Sequence, residues 1–250
     1  MKNNVLEAGN ATDVGLIREN NEDSCYVDKE NGLFIVADGL GGHAGGEIAS
    51  KLAVEAIANF FKKEQEGSKK NFMQSIKNAV QEAHEIILKE QIADPLLRGM
   101  GTTLVLGLFE DAGNLYVANV GDSRAYLCRD NKLLLLSEDD SLVANLVKQG
   151  RITEDQARAH YKRNIVTQVI GINPFSECHQ KKVNLRDKDI IALCSDGLWD
   201  MLSDKEIEKI ITKEGSSQKL CYDLINAAKN AGGEDNITVI IIKVKREKKD

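Results

Sequence analysis

Two pairs of short apolar segments, each pair joined by a polar turn, constrain the fold of this chain most. Residues 103–109 and 115–120 flank Glu-Asp-Ala-Gly-Asn, and residues 124–128 and 132–136 flank Arg-Asp-Asn. Apolar runs separated by a few turn-forming residues predict β-hairpins. A hairpin pairs its strands antiparallel, so the pattern conflicts with a doubly wound parallel sheet.

Helical periodicity marks the segments around these hairpins. Apolar residues recur at helical intervals in residues 46–63 and 72–87, which predicts two amphipathic helices. A further helix is expected at about residues 218–230, between late strands at 190–194 and 238–244. Because helices come in pairs and strands in hairpins, we expect an α+β fold.

Composition argues against several classes of partner. The formal net charge is −6, which argues against nucleic acid or an anionic membrane surface. No run approaches about 18 apolar residues, so no membrane span is expected. The five cysteines are scattered and form no Cys-x-x-Cys pair, which indicates reduced thiols and a cytoplasmic location. With two prolines and no low-complexity linker, we expect residues 1–250 to form a single domain that acts as a monomer.

Four aspartates stand at the ends of apolar segments: Asp38, Asp122, Asp196 and Asp235. Any single Asp-Gly pair could be a simple turn. However, an unpaired carboxylate at the end of a buried strand is costly, and the lysines and arginines nearby are too few to pair all of them. Mg²⁺ and Mn²⁺ take carboxylate, backbone carbonyl and water ligands, and an adjacent glycine lets a carbonyl approach closely. The pattern therefore predicts a divalent-cation site.

An arginine and two further carboxylates lie close together in the segment Arg18-Glu-Asn-Asn-Glu22-Asp23. The planar guanidinium of arginine suits a phosphate group, which it binds through two parallel N–H donors. By itself the segment would be interpreted as a charged surface loop. Beside a metal site, it indicates a phosphate-bearing substrate.

Six short motifs that include these residues follow one another along the chain. They are Arg18-x-x-Asn-Glu22-Asp23, Val36-Ala-Asp38-Gly39-Leu-Gly-Gly-His43, Gly99-Met-Gly101-Thr102-Thr103, Val120-Gly-Asp122-Ser-Arg124, Cys194-Ser-Asp196-Gly197-Leu and Gly233-Glu-Asp235-Asn236-Ile-Thr238. Together they resemble the bacterial branch of the metal-dependent protein phosphatases, the type 2C serine/threonine phosphatases. The resemblance spans about residues 9–243.

The resemblance implies a four-layer α-β-β-α sandwich, in which two antiparallel sheets are flanked by helices, and a binuclear Mn²⁺ or Mg²⁺ centre. Asp38 would bridge the two ions. Glu22 and the Gly39 carbonyl would complete the shell of one ion, and Asp196 and Asp235 would hold the other. The implied reaction is a direct attack of metal-activated water on phosphoserine or phosphothreonine in proteins, with no covalent phosphoenzyme.

The resemblance implies roles for further residues as well. Asp122, together with Asp196, would bind a third and weaker metal ion, and Arg18 would clamp the substrate phosphate. Asp23 and Asn236 would orient ligands and water. His43 is a candidate proton donor to the leaving alkoxide, with a metal-bound water as the alternative. Substrates would be proteins phosphorylated by a serine/threonine kinase in the same cell.

The chain departs from the family pattern at two positions. Asp140 stands where bacterial relatives usually have histidine, and Gln168 stands where arginine is usual. Both lie beside residues 142–168, which resemble a flap near the active site. We expect these departures to affect substrate preference and the third metal, and to leave the two-metal centre intact.

Two alternatives of other kinds fit parts of the pattern. A catalytically inactive domain that only binds phosphoproteins should have lost a metal carboxylate or the arginine, and all are present. A different two-metal phosphoesterase usually recruits several histidines; this chain has four, and only His43 adjoins an acidic motif. We expect His84 to lie on the surface of the second helix.

The segment from Gly39 to Ala44 also matches a dinucleotide-binding fingerprint. In such a site Asp38 would repel the pyrophosphate, and the hairpins conflict with a βαβ unit. No cysteine is followed by an arginine at the spacing of a cysteine phosphatase.

Overall fold

The computed structural model describes residues 4–42, 45–64, 71–110 and 113–246. The strands are β1 (Asn4–Asp13), β2 (Asp23–Asp28), β3 (Leu33–Leu40), β4 (Gly101–Thr102), β5 (Leu104–Glu110), β6 (Asn114–Val120), β7 (Arg124–Arg129), β8 (Lys132–Leu135), β9 (His179–Asn184), β10 (Ile190–Cys194) and β11 (Ile237–Arg246). The α-helices are α1 (Gly45–Glu64), α2 (Phe72–Ala93), α3 (Leu142–Lys148), α4 (Glu154–Arg158), α5 (Asp196–Trp199), α6 (Asp204–Ile211) and α7 (Ser217–Asn230).

The strands form two antiparallel sheets. The first sheet has the order β1-β11-β10-β7-β8, and the second has the order β2-β3-β5-β6-β9 with β4 paired to β3. Both predicted hairpins are present, as β5–β6 and β7–β8. The antiparallel pairing that they require extends through both sheets, so the predicted α+β class is confirmed.

The side chains of β3 show how the layers are stacked. Successive residues of a strand point to opposite faces of the sheet. Phe34 and Val36 belong to the apolar cluster between the two sheets. Ile35 and Ala37 belong to the cluster formed with α1 and α2. A third cluster joins the outer face of the first sheet to α6 and α7. The predicted four-layer α-β-β-α sandwich is therefore confirmed.

Three strands lack the apolar pattern that would have predicted them. β1 pairs with β11 along its whole length, from Asn4 opposite Arg246 to Asp13 opposite Ile237. β2 pairs with β3. β9, with the polar sequence His-Gln-Lys-Lys-Val-Asn, is the edge strand of the second sheet, where solvent on one side tolerates charged residues.

The expectation that His84 lies on the surface was wrong. The residue is only 4% exposed, and its ring stacks on Phe175 with the ring centroids 4.5 Å apart. The Gly171 N–H donates to Nδ1 of His84 at 3.0 Å. Burial lowers the pKa of His84. The hydrogen bond from Gly171 and the stacking on Phe175 join α2 to the segment that follows residue 168.

No helix in the described part of the chain is long and apolar enough to cross a membrane.

Replacing His84 with leucine should lower the free energy of unfolding by about 1–3 kcal/mol, because the buried Gly171 N–H loses its acceptor. Urea denaturation followed by circular dichroism measures this. Gln81→Leu, on the exposed face of the same helix, is the matched control. Equal midpoints for the two variants would contradict the interpretation.

Candidate metal centre

Four strand ends bring carboxylates together at one edge of the sandwich. Asp38 lies near the end of β3, and Asp122 lies in the turn between β6 and β7. Asp196 begins α5 directly after β10, and Asp235 directly precedes the segment that enters β11. The Asp38 carboxyl is within electrostatic reach of Asp196, Asp122 and Asp23. The predicted convergence of these aspartates is thus observed.

The backbone of Asp38 is fixed by the neighbouring threonines. Its N–H donates to Thr103 Oγ1 at 3.0 Å, and its carbonyl accepts from the Thr103 N–H at 2.8 Å and from Thr102 Oγ1 at 2.9 Å. In the register of β2 and β3, Asp38 lies opposite Asp23. The side chain therefore projects from a backbone held on both sides.

Glu22 and Gly39 share one small space above the start of α1. The Gly39 N–H donates to the Glu22 carbonyl at 3.1 Å. A Cβ atom built on Gly46 would lie 2.6 Å from a Glu22 carboxylate oxygen and 2.9 Å from the Gly39 carbonyl carbon. Only glycine fits at position 46, because it leaves room for the carboxylate and the carbonyl to lie side by side.

Asn236 links the N-terminal loop to the start of β11. Its Oδ1 accepts from the Glu22 N–H at 2.7 Å, and its Nδ2 donates to the carbonyls of Val14 and Asn20 at 3.0 and 2.9 Å. Arg18 lies in the same loop, and its Nη2 donates to Asp235 Oδ2 at 2.7 Å. The Arg18 side chain is 52% exposed, so the guanidinium is open to solvent beside the carboxylates.

Asp122 is held by a tryptophan from the neighbouring helix. The Trp199 Nε1–H donates to the Asp122 carbonyl at 3.0 Å. The Arg124 guanidinium lies 3.7 Å from the centre of the Trp199 ring and binds both carboxylate oxygens of Asp139, at 3.0 and 3.2 Å from Nε. Arg124 is therefore engaged by Asp139 and forms no ion pair with Asp122, and no other lysine or arginine of the described ranges forms one.

The carboxylates of this centre are far from their ordinary protonation behaviour. Burial, and then repulsion from neighbouring aspartates, raises the pKa of Asp38 and Asp122 well above the usual range. Burial raises the pKa of Asp23 to about 7, and burial together with repulsion from Asp235 raises the pKa of Asp196 to about 6. Because of these raised pKa values, the carboxylates can all be ionised at neutral pH only if a cation compensates their negative charge.

The donor groups fit hard divalent cations. Oδ1 of Asp196 and Oδ1 of Asp23 are buried without a hydrogen-bond partner among the described residues. In that part of the chain no lysine or arginine forms an ion pair with Asp38, Asp122 or Asp196. Nor do three or more His, Cys, Asp or Glu side chains form a preassembled cage there. Mg²⁺ and Mn²⁺ do not need one, since Mg²⁺ in particular keeps several water ligands and takes one or two carboxylates.

The structure brings together most residues predicted for the site. Seven of the predicted residues meet at this edge. Five are metal-ligand candidates (Glu22, Asp38, Gly39, Asp196 and Asp235), and two were predicted to orient ligands and water (Asp23 and Asn236). Asp122 and Arg18 border them. Asp23 is half-buried, and its Oδ2 accepts from Ser195 Oγ at 2.7 Å. His43 lies outside the described residues.

Sequence patterns did not single out three contributors to the site. Ser195 directly precedes Asp196 in a quoted motif, so its place in the sequence was a usable signal. Asp139 is adjacent to Asp140, but its partner Arg124 is 15 residues away. Trp199 is the one tryptophan of the chain, and nothing in its neighbourhood predicts the contact with Asp122.

The flap-like segment 142–168 contains α3 and α4. Arg163, within it, donates from Nε to both carboxylate oxygens of Asp200, at 3.2 Å each. Tyr161 is 84% exposed. The ion pair places the segment beside α5 and therefore next to Asp196.

Comparison with known proteins gives a consistent result. A sequence model of the family described as Protein phosphatase 2C matches residues 18–237. The serine/threonine phosphatase stp of Listeria welshimeri is 36% identical over 235 residues, covering 92% of this chain and 93% of its own. The crystal structure of the Mycobacterium tuberculosis serine/threonine phosphatase PstP/Ppp has a TM-score of 0.89 at 36% identity, covering 96% and 99%. A PstP catalytic domain in complex with two manganese ions has a TM-score of 0.87 at 34% identity, covering 97% and 99%.

The raised carboxyl pKa values predict how stability depends on pH without metal. Asp23 has a folded-state pKa of about 7 against an ordinary 3.8, so the unfolded chain releases this proton first as the pH rises. The free energy of unfolding in chelator should therefore fall between about pH 5 and about pH 7.5, by a few kcal/mol in all. Glu7, whose pKa is lowered to about 2, contributes only at lower pH.

Thermal unfolding in EDTA across this range measures the effect. Asp23→Asn keeps the shape of the side chain and removes the titrating group, so its melting temperature should depend less steeply on pH. Asp223→Asn, at a half-buried position of α7 where Asp223 pairs with Lys219, should keep the wild-type slope. A melting temperature that rises with pH in the wild-type protein would refute the prediction.

Proposed function

This chain belongs to the protein phosphatase 2C family, and from that premise we propose that it hydrolyses phosphoserine and phosphothreonine in proteins at a binuclear Mn²⁺ or Mg²⁺ centre. One observation carries the proposal for the site. The carboxylates of Asp38, Asp122 and Asp196 converge from both sheets without an ion pair to a lysine or arginine among the described residues, and the exposed Arg18 lies beside them on Asp235.

We assign the metal ligands from this arrangement. Asp38, central to the cluster, would bridge two ions. Glu22 and the Gly39 carbonyl, which lie side by side above Gly46, would serve one ion. Asp196 and Asp235 would serve the second ion. The charge of Asp235 raises the pKa of Asp196, so the two carboxylates are close enough to repel one another. When bound, the ions would lower the pKa of water and neutralise charge on the phosphate oxygens.

The remaining groups position substrate and ligands. Arg18 is exposed beside the carboxylates. Its planar guanidinium would release Asp235 and bind two oxygens of the substrate phosphate. Asn236 holds the Glu22 backbone, and Ser195 orients Asp23 by a hydrogen bond. Asp122 would contribute to a third and weaker metal site together with Asp196, whose charge it feels.

The proton donor to the leaving alkoxide is assigned to one of two groups. His43 follows the Asp38 motif in sequence but lies outside the described residues. Water held at the metal centre is the other donor. Measuring the rate of a His43→Ala variant against substrates with good and poor leaving groups separates them, because loss of a general acid slows only the poor leaving groups.

Wider features of the proposal follow from the same properties. The substrates would be proteins phosphorylated by a serine/threonine kinase of the same cell. The apolar cluster shared by the two sheets supports a single domain over residues 1–250, and we propose that this domain acts as a monomer. A cytoplasmic location is supported by the five free thiols. An inactive phosphoprotein-binding module is disfavoured, because each expected carboxylate and the arginine are retained.

Metal dependence tests the proposed activity. The purified chain should hydrolyse a phosphothreonine peptide with Mn²⁺ and lose this activity in EDTA. Asp38→Ala should lower kcat by about 100-fold or more, because loss of the bridging ligand removes several kcal/mol of transition-state stabilisation.

Asp223→Ala, which removes one partner of a surface ion pair with Lys219, is the matched control and should behave as wild type. Full turnover in excess chelator would argue against a metal enzyme. Wild-type kcat in Asp38→Ala would exclude Asp38 as a ligand.

Arg18 should act mainly on binding. Arg18→Ala should raise KM for the phosphopeptide by about 10-fold and lower kcat less, since a charge-assisted hydrogen bond contributes roughly 1.5–3 kcal/mol. Arg18→Lys keeps the positive charge and loses the two parallel N–H donors of the guanidinium, so its KM should be intermediate. Steady-state kinetics of the three proteins decide this, and an unchanged KM in Arg18→Ala would count against the phosphate clamp.

A further inference from the structure

Asp140 is a junction between the turn that carries Asp122 and the flap-like segment. Its N–H donates to the Gly121 carbonyl at 3.0 Å, and its Oδ2 accepts from the Gly121 N–H, also at 3.0 Å. Both polar backbone groups of Gly121 are thus bound by one residue. Gly121 has a φ of 87°, a left-handed conformation that favours glycine, and Asn119 Nδ2 makes a longer contact of 3.4 Å with its carbonyl.

The same residue joins the two ends of the segment 142–168. The Asp140 carbonyl accepts from the Thr167 N–H at 2.7 Å, and Gln168 Nε2 donates to Asp140 Oδ2 at 3.3 Å. Directly after it, Ser141 and Val166 form an isolated antiparallel bridge. A change in the position of Asp140 would therefore move both the base of the flap and the Gly121 turn.

The other oxygen of Asp140 is held by a histidine from the edge of the second sheet. His179 Nε2 lies 2.8 Å from Asp140 Oδ1, and His179 Nδ1 lies 3.9 Å from Glu138 Oε2. Strand pairing places His179 opposite Asn119, and Asn119 Nδ2 in turn donates to the Glu138 carbonyl at 2.7 Å. The imidazole is therefore fixed by the sheet and directed at the junction.

This contact accounts for both departures from the family pattern. At position 140 a carboxylate replaces the usual imidazole, and an imidazole reaches that carboxylate from β9. At position 168 an uncharged amide replaces the usual arginine and shares the Asp140 carboxylate with His179.

We propose that Asp140 and His179 act as a pair of positioning residues that set the Asp122 turn, and with it the affinity of the weaker metal site, and that anchor the flap base. This inference rests on the proposed function of the metal centre. The pair is partly exposed, with 34% of the His179 side chain and 16% of the Asp140 side chain accessible, so its loss should cost the fold little. Its effect should appear at the site instead.

Calorimetric titration of the full chain with Mn²⁺ tests the proposal without relying on turnover. His179→Ala should weaken the weakest Mn²⁺ site by about 10-fold and leave the two tighter sites unchanged, as expected when a group that orients a ligand is removed. His179→Gln can still donate to Asp140 Oδ1 and should bind Mn²⁺ close to wild type. Lys181→Ala, an exposed residue two positions along the same strand, is the matched control.

Asp140→Asn provides a second and independent variant. An asparagine keeps an acceptor oxygen for the Gly121 N–H but turns an NH2 group toward His179, so the negative charge is lost and an Nε2–H of His179 no longer finds an acceptor there. It should weaken the same Mn²⁺ site as His179→Ala. In kinetics, both variants should change KM for a phosphothreonine peptide more than KM for p-nitrophenyl phosphate, because the small substrate does not reach the flap.

The outcomes separate this inference from the proposed function. Wild-type Mn²⁺ binding and wild-type peptide KM in both His179→Ala and Asp140→Asn would overturn the positioning role and leave the two-metal activity standing. Only two Mn²⁺ ions on the wild-type chain would also overturn it. If His179→Ala fails to fold, Asp140→Asn and His179→Gln decide by the same measurements. No Mn²⁺-dependent hydrolysis by the wild-type chain would instead refute the proposed function.

Discussion

The repulsion between buried carboxylates is the constraint around which this structure is arranged. Asp23, Asp38 and Asp196 are half-buried, and desolvation together with repulsion between like charges raises their pKa values. A protein interior accepts such a cluster only if protons or cations neutralise it. The fold therefore has to bring the carboxylates close enough to share a counter-charge and keep competing lysines and arginines away.

The two-sheet sandwich meets both requirements. Each carboxylate projects from a turn or strand end whose backbone is already engaged, as Asp38 is by Thr103 and Asp122 by Trp199. Arg124, which lies beside Asp122, is occupied by Asp139 at the border of the site, and Arg18 pairs with Asp235. The interior cluster between the sheets keeps the strand ends in register, so the metal ligands need little rearrangement.

The region beside the centre is where this chain departs from the family pattern. Asp140, Gln168 and His179 form a connected polar group there, although they are far apart in sequence. Their contacts link the turn that carries Asp122 to the base of the segment 142–168.

The sequence by itself determined the hairpins, the α+β class and the four aspartates at strand ends, because apolar periodicity and the cost of an unpaired carboxylate are local properties. It did not determine β1, whose ladder exists only because β11 lies beside it, or the burial of His84 against Phe175. Only the tertiary structure showed that Asp140 meets His179. That contact joins residues 39 positions apart through the pairing of strands, and no local pattern encodes it.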